Sequence, residues 1–187
     1  MKNLMLSIVL LLTLASIGMA ASAVEMKTNL GTVIIELNDE KAPITVKNFL
    51  EYVDQKFYDE TIFHRVIKGF MIQGGGFDAD ENRKSTMNPI KNEAINGLKN
   101  LKGTIAMART GVVDSATSQF FINLNDNDFL NNSGTSARTF GYAVFGKVTS
   151  GMDIVEKIGR IKTVAKSAAF RDFPEPMVII ESIRKVK

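Results

Sequence analysis

A mainly β domain, an antiparallel sheet closed on itself with two helices covering its open ends, is the fold class this sequence predicts. Three observations lead there. Short apolar and β-branched runs, bounded by Gly, Pro and Asn, recur along most of the 187 residues. Only two stretches carry apolar residues at helical spacing. No internal repeat, low-complexity tract or Pro/Gly/Ser-rich linker divides the chain, so one domain has to manage many strand edges, and closure removes edges. The pattern alone fits a two-sheet sandwich as well as a barrel.

The first segment is an address rather than part of the fold. Lys2 and the N-terminal amine precede an apolar run over residues 4–14, and Ala21-Ser22-Ala23 has the small-x-small form of a signal-peptidase site. Residues 4–24 carry no charge and could span a bilayer as an uncleaved anchor. The small, weakly apolar end from Gly18 to Ala23 favours cleavage near Ala23, leaving an exported, periplasmic domain over residues 24–187. No Cys follows the apolar run to carry a lipid.

Residues 24–28 and 32–37 read as strands joined through Asn29-Leu30-Gly31, with Gly available for positive φ. Pro43 suits a first helical turn, where its missing N–H costs nothing. Val46, Phe49, Leu50, Val53 and Phe57 then form one apolar stripe. Strand composition returns at 62–66 and 70–73 and is expected to break at Gly74-Gly75-Gly76. Residues 77–102 are polar and irregular, a long excursion that is uncommon unless functional. Strands are expected again at 104–108, 119–123 and 143–148, a helix at 152–158, and a last strand at 177–186 after Pro174 and Pro176.

Composition narrows the function classes. Hydrophobic residues make up 45% and charged residues 23%, which excludes disorder and a polytopic membrane protein. The formal charge of +3 is spread among interleaved acids and bases, so no nucleic-acid footprint is present. With no Cys and one His, disulfides, thiolate nucleophiles, Cys-based zinc sites and triads needing a second His are excluded or disfavoured.

Several candidate sites fail on their own chemistry. Asp78, Asp80 and Asn82 open like a calcium loop, but Arg83 and Pro89 stand where the Gly and the bidentate Glu belong. Asp126 and Asp128 fail the same test. The triple Gly lacks a phosphate-loop framework, and Asn131-Asn132-Ser133 is too common a tripeptide to carry weight. His64 has no second His or Cys with which to share a metal, so a buried structural role is expected. What remains is a mixture of polar and large apolar residues. Arg65 and Gln73 stand among Phe63, Phe70 and Met71, and Gln119 stands beside Phe120 and Phe121. By physics alone this is an apolar groove with one cation and two amides, suited to a peptide.

FHRVIKGFMIQGG (63–75) and SQFFI (118–122) resemble the signature segments of the cyclophilin family of peptidyl-prolyl cis/trans isomerases. YAVFGKV (142–148) and GMDIVEKI (151–158) follow in the family's order, and the resemblance runs from Val24 to the C-terminus. TIAMART (104–110), DSATSQFFINL (114–124) and the leader make the bacterial exported subtype the most similar. The resemblance implies an eight-stranded closed antiparallel barrel capped by two helices. It implies a catalytic Arg at Arg65, a proline pocket built from Phe70, Met71, Phe121 and Leu130, and substrate-backbone contacts from Gln73 and Gln119. Ala108 and Arg109 fall where the family offers backbone groups to the peptide. The family's frequent rim Trp is Phe129 here, its frequent pocket His is Tyr142, and Lys68 replaces a common Pro. Without the indole N–H, weak cyclosporin binding is expected.

The implied chemistry suits the composition. Twisting an X–Pro bond localises the amide lone pair on nitrogen, and a guanidinium can donate to it there more strongly than in the planar state. No cofactor, metal or covalent intermediate is required. The implied partners are proline-containing peptides and unfolded chains, acted on by a monomer. A non-catalytic binding module with the same groove is the alternative; Arg65 beside an intact pocket favours the enzyme.

Overall fold

The computed structural model describes residues 22–186. The expected leader lies outside them except for Ser22 and Ala23. Those two residues belong to the fold: Ser22 donates from its amide and its hydroxyl to the Asp39 carboxylate, each at 3.1 Å, and accepts from the Leu37 N–H at 2.7 Å. Among the described residues no helix is long and apolar enough to cross a membrane.

The elements are β1 (Ala23–Thr28), β2 (Gly31–Leu37), α1 (Pro43–Asp54), β3 (Thr61–Ile67), β4 (Met71–Asp78), β5 (Thr104–Met107), β6 (Phe120–Asn123), a 3-10 turn (Asp128–Leu130), β7 (Val144–Ser150), α2 (Met152–Gly159), β8 (Thr163–Val164), β9 (Phe173–Pro174) and β10 (Ile179–Lys185). Eight strands close in the order β1-β10-β3-β4-β6-β5-β7-β2, every neighbour antiparallel. Of the two architectures the pattern allowed, the barrel is the one formed.

The helices plug it. Val46, Phe49, Tyr52 and Val53 of α1 and Val155 and Ile158 of α2 share one core with Ile35, Phe63, Ile72, Phe120, Ile122 and Phe145 from the strands. The two helices sit at opposite ends. α1 follows the last residues of β2, whereas Ile154 of α2 lies so close to Gly31, the first residue of β2, that a Cβ there would meet its Cδ1 at 2.6 Å. Helix α1 begins at Pro43 as expected, but Ala42 offers it no side-chain cap. Its cap arrives from the long excursion. The Glu93 carboxylate accepts from the amides of Ile44 (3.1 Å) and Thr45 (2.7 Å) and from the Thr45 hydroxyl (2.7 Å). A carboxylate there answers both the unpaired N–H groups and the positive end of the helix dipole.

Several expectations are corrected. Strand β4 runs through Gly74-Gly75-Gly76 to Asp78 instead of breaking there. The glycines are needed for close approach: a Cβ on Gly74 would stand 3.0 Å from the Ile62 carbonyl, and one on Gly75, whose φ is +78°, 2.9 Å from Phe120 and Tyr58. Phe57 packs against the core from beyond the end of α1, not as part of its stripe. Strands β8 and β9, unforeseen, pair as a small hairpin outside the barrel. The last strand starts at Ile179 rather than Met177, and the irregular stretch expected over 77–102 begins only after Asp78, residues 79–103 holding no strand beyond isolated bridges.

Two smaller apolar clusters lie on the outside of the barrel wall, because successive strand residues face opposite sides. Met71, Ala106, Phe121, Leu130 and Val144 form one; Ile62, Phe170 and Phe173 form the other, covering β3. His64 is buried with this last cluster, its ring 4.7 Å from that of Phe77 and 6.4 Å from that of Phe170. It is buried as expected, but among the described residues its Nδ1 has no hydrogen-bond partner.

Candidate active site

The outward face of β3, β4, β6 and β5 carries a row of residues set by register. Arg65 pairs with Gln73, Gln73 with Phe121, and Phe121 with Ala106. Parity explains the mixture seen in the sequence. Ile72, Phe120 and Ile122 turn into the core, so Met71, Gln73 and Phe121 must turn out. A cleft of about 210 Å³ opens on this face, lined by Arg65, Phe70, Met71, Gln73, Ala108, Arg109, Phe121, Leu130 and Tyr142. Nine of the expected site residues therefore line a single concavity.

The remaining two stand beside it. Gln119 lines an adjoining hollow of about 120 Å³ with Arg83, Thr110, Ser115 and Thr117, and Gln73, Ala108 and Arg109 form the wall common to both. Phe129 is 73% exposed at the rim, its ring 5.5 Å from that of Phe70.

Each wall is held from behind. Gln73 donates from Nε2 to Oε1 of Gln119 at 2.9 Å, which fixes both amides along the cleft. Gly76 makes this possible, since a Cβ there would fall within 2.5–2.7 Å of the Gln119 side chain. The third glycine thus provides the bed on which a site residue lies. Ala108 donates its N–H to the Gln119 carbonyl at 2.9 Å. Asn127 donates to the Phe70 carbonyl at 3.0 Å, tying the 3-10 turn that carries Leu130 to the β3–β4 connection. Leu130 in turn accepts from the Tyr142 N–H at 3.0 Å.

Two guanidinium groups face the cleft in different conditions. Arg109 is fully engaged, donating to the carbonyls of Gly141 (2.9 Å), Thr110 (2.9 Å) and Ala137 (2.7 Å) while lying 4.8 Å above the Tyr142 ring. That ring meets Phe121 edge-on at 5.7 Å. Arg109 therefore braces the aromatic wall, a side-chain role that the sequence reading, which placed only its backbone at the peptide, did not foresee. Among the described residues Arg65 makes one side-chain bond, from Nε to Oδ2 of Asp172 at 3.2 Å. A planar cation with its outer nitrogens free, at the edge of an apolar hollow, can donate to a group lodged there, and the apolar walls strengthen that donation.

Asp172 was missed by sequence reasoning. It lies 107 positions from Arg65, in a segment with no strand or helix signal of its own. Among the described residues no three His, Asp or Glu side chains converge as metal ligands would.

Comparison with known proteins gives a consistent picture. The family model described as cyclophilin type peptidyl-prolyl cis-trans isomerase/CLD matches residues 23–185. Peptidyl-prolyl cis-trans isomerase B of Escherichia coli is 57% identical over 160 residues, covering 86% of this chain and 97% of that protein. Peptidyl-prolyl cis-trans isomerase A of Dickeya dadantii is 47% identical over 191 residues, covering 100% and 98%. A crystal structure of a Cryptosporidium parvum cyclophilin type peptidyl-prolyl cis-trans isomerase, determined in the presence of the dipeptide Ala-Pro, superposes with a TM-score of 0.72 at 28% identity, covering 88% of this chain and 99% of that one.

Proposed function

The chain belongs to the cyclophilin-type peptidyl-prolyl cis-trans isomerase family and is an isomerase, and on that premise we propose that Arg65 is its catalytic residue, acting on X–Pro bonds of exported, folding polypeptides. The observation that carries this is the register row. It sets a guanidinium with free outer nitrogens beside Gln73 and Phe121, over an apolar cleft.

The planar X–Pro bond resists rotation by roughly 18–20 kcal/mol because the nitrogen lone pair is shared with the carbonyl. A prolyl ring lodged against Phe70, Met71, Phe121 and Leu130 is held still. Gln73, Gln119 and the backbone at Ala108 and Arg109 hold the peptide on either side. The preceding carbonyl then swings, the nitrogen pyramidalises, and Arg65 donates to the lone pair that rotation exposes. The bond to nitrogen strengthens as the amide twists, so the transition state is stabilised more than either planar state. An acceleration of ~10⁵ needs about 7 kcal/mol, within reach of this donation, immobilisation and a low local dielectric together.

The export address in residues 1–23, cleavage near Ala23, a periplasmic location, action as a monomer on unfolded chains and weak cyclosporin binding complete the reading. The test is an isomerisation assay on a short Ala-Pro peptide. Arg65→Ala is expected to lower kcat/KM about 10²-fold with the fold intact, and Arg65→Lys to be nearly as poor because the rigid fork is lost. Wild-type turnover in the Lys variant would sink the proposed geometry. Cell fractionation and the mass of the purified chain test the address.

A further inference from the structure

Arg65 is not left to find its own orientation. Its Nε donates to Oδ2 of Asp172, which leaves both outer nitrogens for the cleft. Asp172 is itself held in place: its carbonyl accepts from the Val66 N–H at 2.9 Å, one residue along β3 from Arg65. On either side of it Phe170 and Phe173 are buried against Ile62. The segment carrying Asp172 is thus fastened to the outside of β3 by one backbone bond and two aromatic anchors, and the carboxylate projects between them toward the edge of the cleft.

We propose that Asp172 is a positioning residue for the isomerisation, fixing the outer torsions of Arg65 so that its guanidinium faces the cleft before a peptide arrives; this rests on the reading of Arg65 given above. Both side chains are partly exposed, 44% for Arg65 and 36% for Asp172. A screened pair of that kind contributes little to folding stability. Its contribution is orientational. Three staggered wells at each of χ2 and χ3, the two sp3–sp3 torsions nearest the Nε, offer about nine placements of the guanidinium. A group whose competent placement is one of about nine loses roughly that factor when released. Binding at Nε rather than at the outer nitrogens is the arrangement that orients the fork without occupying it.

The experiment measures kcat and KM on an Ala-Pro peptide, with thermal unfolding alongside. Asp172→Ala is expected to lower kcat about tenfold while KM and Tm stay close to the parent values. Asp172→Asn keeps an acceptor oxygen and is expected to recover most of the loss. In the Arg65→Ala background, Asp172→Ala is expected to change nothing further. Full activity in Asp172→Ala overturns the proposal, as does an equal fall in the Arg65→Ala background, which would mark a role independent of the guanidinium. Full activity in Arg65→Ala alone is a different failure: it removes the reading of Arg65, and the positioning role with it.

Discussion

Phe129 shows how much a single rim position is expected to decide. It lies over Phe70 with most of its ring in solvent, so it offers an arriving macrocycle apolar area but no donor. A lost neutral hydrogen bond costs about 0.5–1.5 kcal/mol, and an acceptor left unpaired on the drug raises this to 1–3. With the smaller ring area the penalty reaches about 2–3 kcal/mol, roughly 30- to 150-fold in affinity. Titration with cyclosporin should therefore find weak inhibition, and Phe129→Trp should restore sensitivity while changing turnover much less. Tight inhibition of the parent protein would remove Phe129 from the rim. At this scale the site was legible chiefly through its family resemblance. Polar residues among aromatics on strands suggested a groove, but only the resemblance implied which of them act on proline. Asp172 and the bracing contacts of Arg109 were not legible, because each depends on partners that the fold alone brings together.

The elements were read unevenly, and the reasons are local. Helix α1 announced itself through Pro43 and its stripe, yet its cap, Glu93, comes from an irregular segment about fifty residues later that no N-terminal signature could reveal. Strand β4 was expected to stop at three glycines that are there because Ile62, Phe120 and Gln119 press on it. The β8–β9 hairpin escaped notice because two-residue strands have no periodicity. That hairpin's cover over β3 gives the fold a pH dependence. Burial, aided by the Arg65 charge, pushes the His64 pKa down to about 4 from 6.5, although a backbone contact at Ile62 pulls the other way. In the unfolded chain the imidazole takes up a proton near pH 6.5, whereas in the folded state it resists until about pH 4. Its share of stability is thus complete above pH 6.5 and is lost as pH falls from 6.5 to about 4, by about 3 kcal/mol. Urea titrations across that window should show the decline, and His64→Gln should flatten it. Activity should show no step near pH 6.5, and one that His64→Gln abolishes without loss of stability would assign His64 to the chemistry.

At the scale of the whole molecule, the proposed placement of the cleft assigns the main core and the turnover site to opposite faces of the barrel wall. Phe120 points into the main core and Phe121 into the outer cluster beside the cleft. Phe120→Ala should cost about 3–5 kcal/mol of stability, measured as a lower urea midpoint at constant m. Phe121→Ala should cost about 2 kcal/mol and remove most of the isomerase activity. If Phe121→Ala left both stability and activity unchanged, the cleft would not be the proline pocket. Closure has a second consequence. Strand β1 is hydrogen-bonded to β10 along its length, and the Val186 N–H donates to the Ala23 carbonyl at 2.8 Å. A chain that emerges from a ribosome or an export channel N-terminus first cannot seat one edge of its earliest strand until its latest strand has come through. Ring closure is therefore the final assembly event. Up to that moment the protein is itself an unfinished, threadable polypeptide of the kind proposed above as its substrate.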